Sequence, residues 1–190
     1  MNIAINFGLY QLCWFACILG GANALPWLGV ILMAVAVVYH LHSANEPLAE
    51  LKLMLIAGLL GAVWDSGLVA AGWLVYPSGT LIEGTAPYWI FALWIGFATN
   101  LNVTLRWLRG RPALASALGA AAGPIAYLGG EKLGGLTFED TFAGLSALAI
   151  GWAVIMPLLV AVATRHDGFR GRDANVQIAH GSPQLSTEHV

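Results

Sequence analysis

Six long apolar runs, joined by short polar segments, fill residues 3–164, and only one acid, Asp65, lies deep inside any of them. Such runs leave little choice of fold. Each is close to the roughly 20 apolar residues that carry a helix across about 30 Å of hydrocarbon. Composition agrees, with 58% hydrophobic and 9% charged residues and a mean hydropathy of +0.74. A soluble domain carries about a quarter charged residues, so this chain lacks the means to cover a wetted surface. The expected fold is all-α, a polytopic membrane helix bundle of about six transmembrane helices.

The expected spans are 3–22, 25–41, 49–74, 88–108, 112–130 and 138–163. They form one bundle over residues 1–164, followed by a flexible polar tail over 165–190. No basic residue precedes the first run, which predicts a retained helix and not a cleaved signal. Pro26, Pro87 and Pro112 fall at first turns, where a missing amide donor costs nothing. Thr137 and Asp140 read as a capping box for the last span, and Pro157 predicts a kink inside it. Lys52, Arg106, Arg109, Arg111 and Arg165 gather on one side, and Lys132 lies on the other. The positive-inside rule then places both termini in the cytoplasm. Trp27, Trp73, Tyr76, Tyr88 and Trp89 read as an aromatic belt on the opposite face.

The net charge of −2 comes with no basic, aromatic-interleaved surface, so nucleic acid is excluded as a partner. Cys13 and Cys17 share one helix face, and two thiols fall short of the four ligands a structural metal site wants; they read as small core residues. His40 and His42, with Glu46 and Glu50, offer metal-ligand chemistry in principle. A pair of interfacial histidines beside the Pro47 helix start is the preferred reading, so no metal and no cofactor is expected.

Small residues recur every four positions: Ala57, Gly61 and Asp65; Ala92, Gly96, Asn100 and Thr104; Ala115, Gly119, Gly123, Tyr127 and Glu131; Ala143, Ala147 and Gly151. Spacing of four keeps each set on one face, and close approach over small residues drives membrane helices together. These stripes are the predicted interior faces. Leu59, Leu60, Leu93 and Leu118 then face lipid or fill gaps.

Asp65 continues the first stripe into the half of the bilayer away from the arginines. A carboxylate there costs at least about 2.5 kcal/mol unless it is paired, protonated or wet. Tyr127 can donate to it, and Lys132 can reach it from above. The candidate catalytic or binding set is Asp65, Tyr127, Glu131 and Lys132, with Glu83 a further acid on the same side. Against it stand an interhelical hydrogen-bond anchor at Asp65 and an ordinary charged turn at Glu131 and Lys132. Asn6 and Gln11 supply polar contacts in the first span. Arg106, Arg109 and Arg111 can also meet anionic lipid heads. No nucleophile elbow, phosphate loop or zinc-protease helix occurs.

The segment from Asn6 to Cys17, with Pro26-Trp27, Trp64-Asp65-Ser66, Trp94 and Gly123-Pro124, resembles a family of uncharacterised bacterial inner-membrane proteins. The likeness spans all but the tail. The resemblance implies a gene neighbourhood with cyclopropane-fatty-acid synthase and envelope-stress functions. It assigns no catalytic residue. Three roles follow as expectations. The first is an inner-membrane accessory to lipid modification or envelope stress, with membrane lipids and, in one version, another membrane protein as partners. The second is a small solute or proton-coupled transporter in which Asp65 cycles its charge. The third is a structural membrane partner.

Overall fold

The computed structural model describes residues 1–170. Six α-helices follow one another as α1 (Ile3–Ala22), α2 (Pro26–Ser43), α3 (Pro47–Ala70), α4 (Tyr88–Leu101), α5 (Pro112–Lys132) and α6 (Thr141–Arg165). Five of them, all except α4, are long and apolar enough to cross a membrane. Exposed aliphatic side chains such as Val35, Val63 and Ile150 lie on their outer faces. The chain is a multi-pass membrane protein.

The fourth span is shorter than expected. α4 holds 14 residues, about 21 Å at 1.5 Å per residue, and Arg106–Leu108 forms a separate 3-10 turn in place of the continuous helix expected to residue 108. Its brevity suits its position. Ten of its 14 residues, among them Trp89, Trp94 and Asn100, are buried. α4 is the central helix, packed against α1, α2, α3 and α6. A helix shielded on every side need not match the bilayer thickness itself.

The helices alternate in direction, so the bundle has two ends. The arginine end carries Asn6, His40, Glu50, Asn102 and Arg106 to Arg111. The loop end carries the 71–87 connection and the α5–α6 joint, which pair as a two-stranded antiparallel ribbon, Leu74 opposite Phe138 and Val75 opposite Thr137. Helix packing is by pairs: α1 with α2, α3 with α4, α5 with α6. The α5–α6 pair meets the other four helices sparsely.

The small-residue stripes act as sockets. A Cβ on Gly61 would lie 1.9 Å from Trp94 Cγ, one on Gly123 2.4 Å from Trp152 Cγ, and one on Gly151 2.1 Å from Trp64 Cζ2. Gly61, Gly123 and Gly151 are all buried, as expected of interior faces. Leu59 faces outward at 62% exposure, whereas Leu93 is buried, because the central helix has no lipid-facing side at that position. Cys13 and Cys17 are buried free thiols, and Gly29 sits against the Cys17 backbone.

Three local expectations change. The α6 cap is Asp140, which accepts from Ala143 N at 2.9 Å, while Thr137 belongs to the ribbon. Tyr76 and Trp89 are buried, Tyr76 because the 71–87 connection folds back over the bundle and carries it inward, Trp89 because it stands in the first turn of the central helix and donates to Ser78 O of that connection at 3.0 Å; of the expected belt, Trp27 is the exposed member at 51%. Finally, Asp167, Gly168 and Phe169 are buried, so the segment expected to begin a loose tail at 165 starts as a packed strap. The remainder of that tail, 171–190, lies outside the described residues.

Candidate functional site

Asp65 is completely buried at the loop end of α3. Three neutral donors hold it. Tyr127 Oη from α5 donates to Oδ1 at 2.6 Å, Tyr76 Oη from the connection donates to Oδ1 at 2.8 Å, and Trp94 Nε1 from α4 donates to Oδ2 at 2.7 Å. The local sequence explains each. Gly61, one turn before Asp65, makes the hollow for the Trp94 ring. Gly123, one turn before Tyr127, seats Trp152, whose ring stacks on Trp94 with centroids 4.7 Å apart. The ribbon at Leu74 and Val75 aims Tyr76 back into the bundle, where its ring meets Trp89 edge-on.

Donor chemistry constrains where a proton can reside. An indole N–H only donates, so Oδ2 must act as an acceptor toward Trp94. A proton on this carboxyl would sit on Oδ1, with one tyrosine hydroxyl turned to accept it. Tyr76 and Tyr127 are therefore the only exits for a proton among the described contacts, and the Tyr127 ring also borders a cavity.

Of the predicted set, the structure brings together Asp65 and Tyr127. Glu131 turns away and accepts from Phe138 N at 3.2 Å, fastening α5 to the ribbon. Lys132 is exposed and is not among the partners of Asp65. The last turn of α5 points it outward to water, where an ammonium is better solvated. Glu83 is exposed in the connection. Tyr76 and Trp94 are functional neighbours that the sequence reading missed.

The cavity, about 310 Å³, lies between α1 and α5, floored by α4 and α6. Tyr10, Trp14, Trp94, Tyr127 and Trp152 line it, with Asn100 and Thr104 towards the arginine end. Among the described residues its walls carry no charged side chain. Ligand pockets run from about 300 to 1,000 Å³ and are mostly apolar with a few polar groups, so this one is small but within range.

A second buried carboxylate, Glu50, occupies the arginine end. His40 Nε2 lies 2.8 Å from Oε2, while Asn102 Nδ2 and Gly168 N donate to Oε1 at 2.6 and 2.8 Å. Around it, Arg109 Nη2 donates to Asn102 Oδ1 at 2.5 Å, and Asp167 pairs with Arg106 at 3.0 Å and Arg109 at 2.7 Å. Burial pushes the Asp167 carboxyl up. The Arg109 hydrogen bond, the Phe169 amide and the charges of Arg109 and Arg106 outweigh that and hold it below the usual carboxylate range. His40 and His42 are thus not the interfacial pair expected. His40 is buried with its ring against Phe169, because the strap covers it; His42 and Glu46 remain exposed. No group of three His, Cys, Asp or Glu among the described residues could hold a metal ion.

Residues 3–158 match the family described as Protein of unknown function (DUF2878). No curated protein and no solved structure matches the chain.

Proposed function

The chain belongs to this family of unknown function, and on that premise we propose that it holds an apolar molecule taken from the bilayer, as an accessory to membrane-lipid modification or envelope stress in a bacterial inner membrane. The carrying observation is the uncharged cavity bordered by Trp94 and Tyr127, two of the three side chains that hold Asp65. Burying apolar ligand surface there gains about 25 cal/mol per Å² only if the competing state is water; against lipid, fit decides. A shaped aromatic wall with one polar end supplies such fit.

Asp65 enters this reading as a positioning residue. Its carboxylate is sealed behind three donors, so a bound molecule meets the Tyr127 ring first. A proton-coupled carrier would need a wetted path to Asp65, and the same seal argues against that role. The lysine and arginine distribution supports cytoplasmic termini.

Extraction and native mass spectrometry of the purified protein test the proposal. The expected result is an apolar molecule at about one per chain, lost in Ala122→Trp, which fills the cavity wall, and kept in Ala121→Trp, an exposed residue of the same helix outside the lining. Equal retention in both variants, each still monodisperse, would overturn it.

A further inference from the structure

If the cavity holds an apolar molecule, as proposed above, its shape specifies the kind. On α1 the lining residues are Phe7, Tyr10, Trp14 and Ile18, spaced as one helix stripe. From Phe7 to Ile18 is eleven residues, about 16 Å at 1.5 Å per residue. A volume of about 310 Å³ drawn over that length averages roughly 20 Å² in section. Packed carbons sit about 4 Å apart, so a section of this order matches one hydrocarbon chain laid along α1.

The two ends differ. At the loop end the slot is shut. Positions where Cβ atoms would stand on Gly129 and Gly130 lie 3.5 Å from Trp14 and 3.3 to 3.4 Å from Leu136 and Ile18. At the arginine end Phe7 is 51% exposed. Asn100 and Thr104, the polar amide and hydroxyl of the lining, are also there, and Asn100 Oδ1 is buried without a partner. Exposed Arg111 opens α5, seven residues and about 10 Å before Leu118 of the lining. Along the side, α1 and α5 are not a packed pair, and Ala122 and Ala126 of the lining are exposed. The slot therefore opens sideways towards lipid.

Resting on that binding reading, we infer that the α1–α5 slot takes a single acyl chain of a membrane phospholipid from the leaflet at the arginine end. The chain is admitted laterally, with its headgroup by Arg111 and its terminal methyl against Tyr127. The blind loop end sets the depth, so chain length is read against the Tyr127 ring. Arg111 supplies charge for a phosphate, and the uncharged walls reject anything ionic below it.

Photo-crosslinking with phosphatidylglycerol tests this, using a diazirine placed either near the ester or at the chain terminus, on the full-length protein in bilayers. The expected pattern is graded: the ester-proximal probe labels Phe7 and Leu118, and the terminal probe labels Ala126 and Tyr127. Ala122→Trp should lower both at least tenfold while Val63 on the lipid-facing side of α3 keeps its labelling. Labelling of slot residues without that gradient would overturn the single-chain inference and leave the binding reading standing. Labelling confined to outward residues such as Val35, Val63 and Ile150 would remove both. Slot labelling by the free diazirine fatty acid but not by the phospholipid would overturn the membrane-lipid assignment.

Discussion

Two carboxylates, Asp65 and Glu50, are each fully buried at opposite ends of one bundle, and they are satisfied by opposite means. Among the described residues Asp65 receives three neutral donors and no cation. Glu50 receives a histidine, an amide and a backbone N–H, inside a ring of two arginines and a second acid. The arginine end carries ion pairs of its own, Arg106 and Arg109 with Asp167. The loop-end cage balances nothing and relies on hydrogen-bond geometry alone. A buried charge left without partners is far costlier than a neutral group. The lesson is that one end is fixed by ion pairs set around its buried acid. The other leaves its single acid the means to exchange a proton with two tyrosines.

The largest effect should come from truncating the charged end. Glu50→Ala strands His40, Asn102 and the Gly168 amide, and should cost about 3–5 kcal/mol as a broken buried network. Thermal unfolding in detergent should show it as a steep loss of folded protein. A change smaller than that of Asp65→Asn would abolish the distinction between the two ends.

Asp65→Asn should come next, at about 1–3 kcal/mol. Its carbonyl can accept from Tyr76 and Tyr127, but its amide then faces the Trp94 N–H, donor against donor. Adding Trp94→Phe removes the conflict. The double variant should be less destabilised than the sum of the singles, by about 0.5–3 kcal/mol of coupling. Strict additivity in the same unfolding assay would mean the cage does not act as a unit.

The smallest effect concerns pH. The Asp167 carboxyl is held below its unfolded value of about 3.9. A depressed pKa gives stability that is complete above the unfolded value and is lost as pH falls through the folded one. Hydrogen exchange of the 166–170 strap should therefore stay slow down to about pH 4 and quicken below it, with Arg109→Gln moving that onset upward. Exchange independent of pH between about 2 and 5 would detach Asp167 from the latch.

How much of this was legible in the chain depends on periodicity. Asp65 and Tyr127 could be placed on facing interior stripes because each follows a glycine at a spacing of four, and a helix fixes direction from spacing alone. Trp94 was less readable. Its indole direction depends on the hollow over Gly61, which belongs to another helix. Tyr76 was not readable at all, since an irregular connection carries no period, and a tyrosine near a membrane surface reads first as a belt residue. Glu50 stood out only as an acid that, with His40, His42 and Glu46, offers metal-ligand chemistry in principle. Its donors lie 52 and 118 residues away in sequence, and nothing local announces them. Lys132 was left open between a partner of Asp65 and an ordinary charged turn for a related reason: sequence gives proximity to Asp65 along the axis but not the turn that leaves Lys132 exposed.

Residue pattern alone established that helices form, that most of them are apolar enough to cross a membrane, and which face of α3 to α6 turns inward. Those are properties of hydropathy and a 3.6-residue repeat, and they need no partner. It took the docked helices to make α4 a short central post, to stand α5 apart from α1 and leave a slot, and to close a strap over Glu50. Each depends on how separate helices dock, where shape and hydrogen bonding between distant residues choose among arrangements that lipid leaves nearly equal in hydrophobic energy.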